Sequence, residues 1–138
     1  MGAEMKWLVL IGRLIFGGWF LYAGLNHWVT ITPQPMGETV LGRQVVDALM
    51  ASHLFDLVKA IELVVGVLVL ANRFTALALN VCMPISVVVC YWNVFLETSP
   101  IGAGMGIATL ALNALLMLAY LDHYRSVLAW RPHIVGAK

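Results

Sequence analysis

The sequence predicts an all-α integral membrane protein, a bundle of four transmembrane helices with a short interfacial helix in its first extracytoplasmic loop. Three observations predict it. Of 138 residues, 62% are hydrophobic and 11% charged, and the mean hydropathy is +0.90, where soluble domains hold about 45–50% apolar residues. The apolar residues gather in runs of about 20, the length a helix needs to cross a hydrocarbon core of about 30 Å. One long polar insert, Thr30 to Ser52, separates the first run from the others. The net charge of +1 gives no basic face, so nucleic-acid binding has no electrostatic support.

The first span covers about residues 7–28, interrupted only by Arg13, Asn26 and His27. A basic residue before an apolar run can mark a secretory signal, but this run is long and lacks an A-x-A site at its end, so it reads as an uncleaved span. Gly12, Gly17, Gly18, Ala23 and Gly24 allow a neighbouring helix to come close. Pro33 and Pro35 end this helix, and Thr39 is placed to cap the next. In that next helix Val40, Leu41, Val45, Val46, Leu49 and Met50 fall to one side, with Arg43, Gln44 and Asp47 off it, the pattern of an interfacial helix.

The second span covers residues 53–71 and turns at Asn72 and Arg73 into the third, residues 74–96, which contains Asn80, Pro84 and Asn93. The fourth, residues 101–121, opens with Gly102 and Gly106 in GxxxG spacing and holds Asn113. Lys6, Arg73, Arg125, Arg131 and Lys138 flank one side, which places both termini in the cytoplasm and the polar insert outside, in a bacterium the periplasm. Cys82 and Cys90 lie eight positions apart on one helix, about 12 Å, too far for a disulfide along it. They read as buried thiols.

The second span carries the charges that need an explanation. His53, Asp56, Lys59 and Glu62 recur every third residue, about one turn apart on neighbouring faces, and form a polar ladder from the helix start to its middle. Ionisable groups at membrane depth require partners. Counting residues inward from the span ends places Arg13 and Glu62 at a similar depth, with Asn80 and Asn113 near them, so the expected structural network is an Arg13–Glu62 pair with those asparagines as hydrogen-bonding neighbours. At the other end His27, His53, Asp56 and Lys59 collect, with Asn26, Trp28, Trp92 and Asn93 nearby. A quinone headgroup needs hydrogen-bond donors and a proton route, and histidine supplies both near neutral pH. These four residues are therefore the candidate ligand site, with quinone as the candidate cofactor. Mutual neutralisation of Asp56 and Lys59 is the plainer alternative, and haem or metal ligation by the two histidines is a weaker one. Motifs for hydrolysis, phosphoryl transfer or dinucleotide binding are absent.

The runs GRLIFGGWFLYAGLNHW (Gly12 to Trp28) and KAIELVVGVLVLANRFTALAL (Lys59 to Leu79) resemble the DoxX family of small four-helix bacterial membrane proteins. Arg13, Ala23, Gly24, Leu25, Glu62, Leu63, Gly66 and Arg73 match its pattern. His27 stands where many relatives carry lysine, and the last helix matches only in character. The family includes a subunit of a thiosulfate:quinone oxidoreductase and proteins that tether soluble redox enzymes to membranes. It is also similar to the larger group that includes the methylamine-utilisation membrane protein. The resemblance implies a multi-pass protein of the bacterial inner membrane, a small non-catalytic subunit or accessory of a redox complex whose partners are membrane lipid and a larger membrane complex or peripheral redox enzyme. A structural subunit that packs against such a complex, with no ligand of its own, is the alternative. A stand-alone transporter fits less well, since the chain offers no inverted repeat.

Overall fold

The computed structural model describes residues 2–131. Every regular element among them is helical: α1 (Ala3–Val29), α2 (Val40–Ala51), α3 (Leu54–Leu70), α4 (Thr75–Tyr91), which continues as a π-helical turn (Trp92–Leu96), and α5 (Pro100–Ala119), followed by a short 3-10 turn (Leu121–His123). Three of these helices are long and apolar enough to cross a membrane: α1, α4 with its π turn, and α5. The helix at the second expected span, α3, has 17 residues. The helix at the first begins at Ala3, about one turn earlier than the apolar run suggested.

The four long helices form a closed ring in which α1 packs on α3, α3 on α4, α4 on α5, and α5 back on α1. Phe16 and Phe20 from α1, Val65 and Val69 from α3, Leu79 and Cys82 from α4 and Leu116 from α5 meet in its core. The tightest seam is antiparallel, with Gly17 of α1 against Leu70 and Gly24 against Leu63. A Cβ on Gly24 would lie 2.5 Å from the Leu63 backbone nitrogen, and one on Gly66 would collide with that of Leu21. Neither helix can accept a side chain there without moving its partner's backbone. The GxxxG residues of α5 serve the same end, Gly102 and Gly106 both packing beneath Asn93 of the π turn.

The second element, α2, forms where the insert's apolar periodicity predicted a helix, and the Thr39 hydroxyl accepts the Gly42 N–H at 2.9 Å as its cap. Gly42 and Val46 are its buried residues, whereas Val40 and Leu41 stay exposed. A second anchor comes from the α4–α5 connection, where Glu97 accepts the Glu38 N–H at 2.8 Å and lies against Gly42. Beyond α5, the Tyr124 hydroxyl donates to the Ala76 carbonyl and pins the chain to the start of α4. Burial pushes the Tyr124 phenol above its ordinary pKa.

Gly24→Ala and Gly66→Ala each introduce a Cβ into opposing backbone, so each is expected to cost about 1–3 kcal/mol, the range typical of overpacking. Gly18→Ala meets nothing within 4 Å and serves as the matched control. Unfolding in detergent should rank the three variants in that way, and equal stabilities would show that the seam is not close-packed.

Candidate functional site

The α1–α3 seam brings the end of α1 beside the start of α3. Gly24 faces Leu63, and one turn further along α1 the His27 ring reaches Asp56. His27 Nε2 lies 2.7 Å from Asp56 Oδ1, and His53 Nδ1 lies 2.9 Å from Asp56 Oδ2. One carboxylate thus holds two imidazoles. An ionised carboxylate only accepts, so each ring presents an N–H to it. The other nitrogen of each ring is left free of this carboxylate.

The two histidines differ in access. The His27 side chain is 12% exposed and the Asp56 side chain 41%, while that of His53 is 85% exposed. His27 packs edge-on to Trp28 and Phe55, with ring centres 4.9 and 5.3 Å away. His53 occupies the left-handed region at φ 59°, where non-glycine residues are uncommon. It joins α2 to α3 and presents its ring to the residue three positions on.

Lys59 belongs to a separate pair. Its Nζ lies 2.7 Å from Glu62 Oε2, with side chains 12% and 4% exposed, and it stands over the Phe55 ring 5.1 Å from the centroid. The ladder on α3 therefore divides into a histidine-bridged carboxylate near the helix start and an internal ion pair one turn further in. Phe55 separates His27 from Lys59. The mutual neutralisation of Asp56 and Lys59 does not occur.

The expected Arg13–Glu62 pair does not form. In the α1–α3 register Glu62 lies near Gly24, whereas Arg13 lies beyond the level of Leu70, four residues before Gly17. Eleven residues of α1 separate Arg13 from Gly24, about 16 Å of rise. Counting inward from span ends assumed that the helices finish flush, and α1 runs past the end of α3. Asn80 is also not a neighbour of Glu62, since it is exposed on the outer face of α4. Asn113 is fully buried, as expected, but its amide donates to the Ser86 hydroxyl at 2.8 Å, and its Oδ1 has no partner. The residues placed beside the histidines also sort differently. Asn26 exchanges two hydrogen bonds with the backbone of Thr32, at 3.0 and 2.7 Å, and Asn93 donates to the Val89 carbonyl at 2.8 Å. No ring contact joins Trp92 to His27 among the described residues; the aromatic walls are Trp28 and Phe55.

Sequence reasoning missed Phe55, Ser86 and Glu97. Phe55 sits between Leu54 and Asp56 in an apolar run, and nothing in its type distinguishes it from a lipid-facing residue. Ser86, two positions past Pro84, had a usable signal in its hydroxyl within an apolar helix. Among the described residues no group of three or more His, Cys, Asp or Glu side chains is arranged to hold a metal ion. Comparison with family models, curated proteins and solved structures finds no match.

Removing one partner of a buried pair costs about 3–5 kcal/mol, because the other charge is left uncompensated. Glu62→Ala is expected to lose that order of stability. Lys59→Met combined with Glu62→Leu should recover most of it, and Arg13→Gln combined with Glu62→Ala should recover none. Recovery in the Arg13 double variant, read by unfolding in detergent, would restore the long-range pair.

Proposed function

We propose that the chain is a small multi-pass subunit or accessory protein of a redox complex in the bacterial inner membrane, and that His27, His53 and Asp56 form its proton-exchanging contact with a quinone-like ligand. The reading takes α3 as the fourth span, both termini as cytoplasmic and α2 as lying along the periplasmic face, and it places the chain in the DoxX family. The observation that carries it is a single carboxylate holding a well-exposed imidazole on one oxygen and a nearly buried one on the other. This arrangement offers a short proton path from water to a membrane-facing corner. A structural pair does not need the exposure of His53.

The residues present fit a quinone headgroup. Protonated His53 has a free N–H for a carbonyl oxygen, Asp56 holds the ring and balances its charge, and Trp28, 54% exposed, offers a flat apolar face. A bound quinone would supply two carbonyl oxygens that accept protons as it is reduced. Lys59, committed to Glu62, contributes to this site through the field of its pair and its packing on Phe55, not as a free donor. The corner is open rather than enclosed, which suits a ligand shared with a partner complex.

The second reading is a packing subunit without a ligand. The internal Lys59–Glu62 pair favours it, because that pair neutralises both of its charges with no ligand required.

His53→Ala combined with Asp56→Asn should lower quinone content after purification in mild detergent, or partner-linked quinone turnover, without lowering the yield of folded protein. Unchanged content and turnover would leave the packing subunit as the better description. The topology is checked separately by Met36→Cys and Gly136→Cys, which should label from opposite sides of the membrane.

A further inference from the structure

Every residue from Arg125 to Arg131 is exposed, and three of them are bulky and apolar. Val127 is 77% exposed, Leu128 68% and Trp130 93%. The segment opens with one helical turn, in which the Leu128 N–H donates to the Tyr124 carbonyl at 2.9 Å. Tyr124 itself is buried. Exposed apolar groups gathered in so short a stretch mark a contact with a membrane or a protein.

The place of the segment is fixed by the helices. Both α4 with its π turn and α5 are long and apolar enough to cross a membrane, and the short connection 97–99 makes them antiparallel. The start of α4 and the end of α5 therefore lie at one end of the bundle. Ala76 is in the first turn of α4, so the bond from the Tyr124 hydroxyl to its carbonyl holds the segment at that end. Trp130 follows Tyr124 by six residues, a reach of about 20 Å when fully extended. The helix ends beside it are apolar and uncovered too, with Phe74 and Leu77 exposed on α4, and Leu118 of α5 and Leu121 just past its end likewise exposed. Val127, Leu128 and Trp130 carry the apolar surface past those ends.

The charges in the segment favour a bilayer surface over a protein. Arg125 Nη2 lies 3.0 Å from Asp122 Oδ1, with side chains 77% and 80% exposed, and Arg131 directly follows Trp130. A protein surface that buried the three apolar residues would have to desolvate these charges or pass around them. The boundary of a bilayer takes apolar groups on one side and leaves charges among headgroups and water on the other. Tryptophan, an apolar ring with one N–H donor, concentrates at that boundary, and arginine reaches from it toward the headgroups. We propose that Arg125 to Arg131 form an interfacial foot on the bilayer, with Val127, Leu128 and Trp130 set into the headgroup–acyl boundary and both arginines among the headgroups. The foot fixes the depth of the end of α5. It depends on α4 and α5 as spans, not on any ligand at the histidines.

The test is fluorescence quenching of the full chain in phosphatidylcholine vesicles whose acyl chains carry bromine either near the headgroup or near the chain end. The Trp130 signal is the difference between wild type and Trp130→Phe, which leaves the other tryptophans in place. It should be quenched more by the shallow bromines than by the deep ones, and little by iodide present on both sides of the membrane. Val127→Ser combined with Leu128→Ser changes only exposed side chains, so folding is not at risk. Each buried aliphatic side chain is worth about tenfold in partition, so this double variant should move Trp130 from bromine quenching to iodide quenching. Stronger quenching by the deep bromines in wild type would overturn the proposal, as would quenching by iodide alone. Shielding of Trp130 from both quenchers would mark a protein contact in place of the foot, and an unchanged pattern in the serine variant would show that Val127 and Leu128 do not hold it.

Discussion

The structure depends on the close approach of α1 and α3. Gly17, Gly24 and Gly66 bring two backbones to a distance that excludes even a methyl group, and in an apolar solvent such packing, not burial from water, drives helices together. The register it sets is what places His27 opposite Asp56. A shift of one helical turn along the seam would carry His27 about 5 Å past the carboxylate, and the bridged pair of imidazoles would not form. The remaining helices close the ring around this seam through ordinary side-chain packing.

The charges of α3 are neutralised in two different ways. Lys59 and Glu62 lie one turn apart on the same helix, so their pair is available as soon as the helix exists, before any bundle forms. Asp56 meets His53 locally and His27 across the seam. The first arrangement makes the middle of α3 tolerable in a low dielectric on its own account. The second couples the outer end of α3 to the correct docking of α1, so the candidate site reports on the tertiary fold.

Much of this was legible in the sequence, and the limit is physical. Run length and composition located the helices, because the cost of exposing backbone to lipid leaves little choice of structure. Thr39 announced its capping role by chemistry and position. The three-residue spacing of His53, Asp56, Lys59 and Glu62 showed that each lies about one turn from the next. Which charge takes which partner was not legible, since it depends on the relative sliding of helices, and end-counting misplaced Arg13 by several turns relative to Glu62. Asn80 shows the same limit in rotation, as residue type says that an amide is polar but not which way its helix is turned.

The unequal lengths of neighbouring helices bear on the bilayer itself. At about 1.5 Å per residue, the 27 residues of α1 rise about 40 Å and the 17 of α3 about 25 Å, on either side of a hydrocarbon thickness of about 30 Å. With α3 taken as a fourth span, as proposed, lipid beside α1 and lipid beside α3 would meet helices of different height on one small protein. On that reading the membrane would dimple toward α3, at a fraction of a kcal/mol for each ångström of mismatch. Asp56, in the first turn of the shorter helix, lies where such a dimple would draw headgroups and water inward.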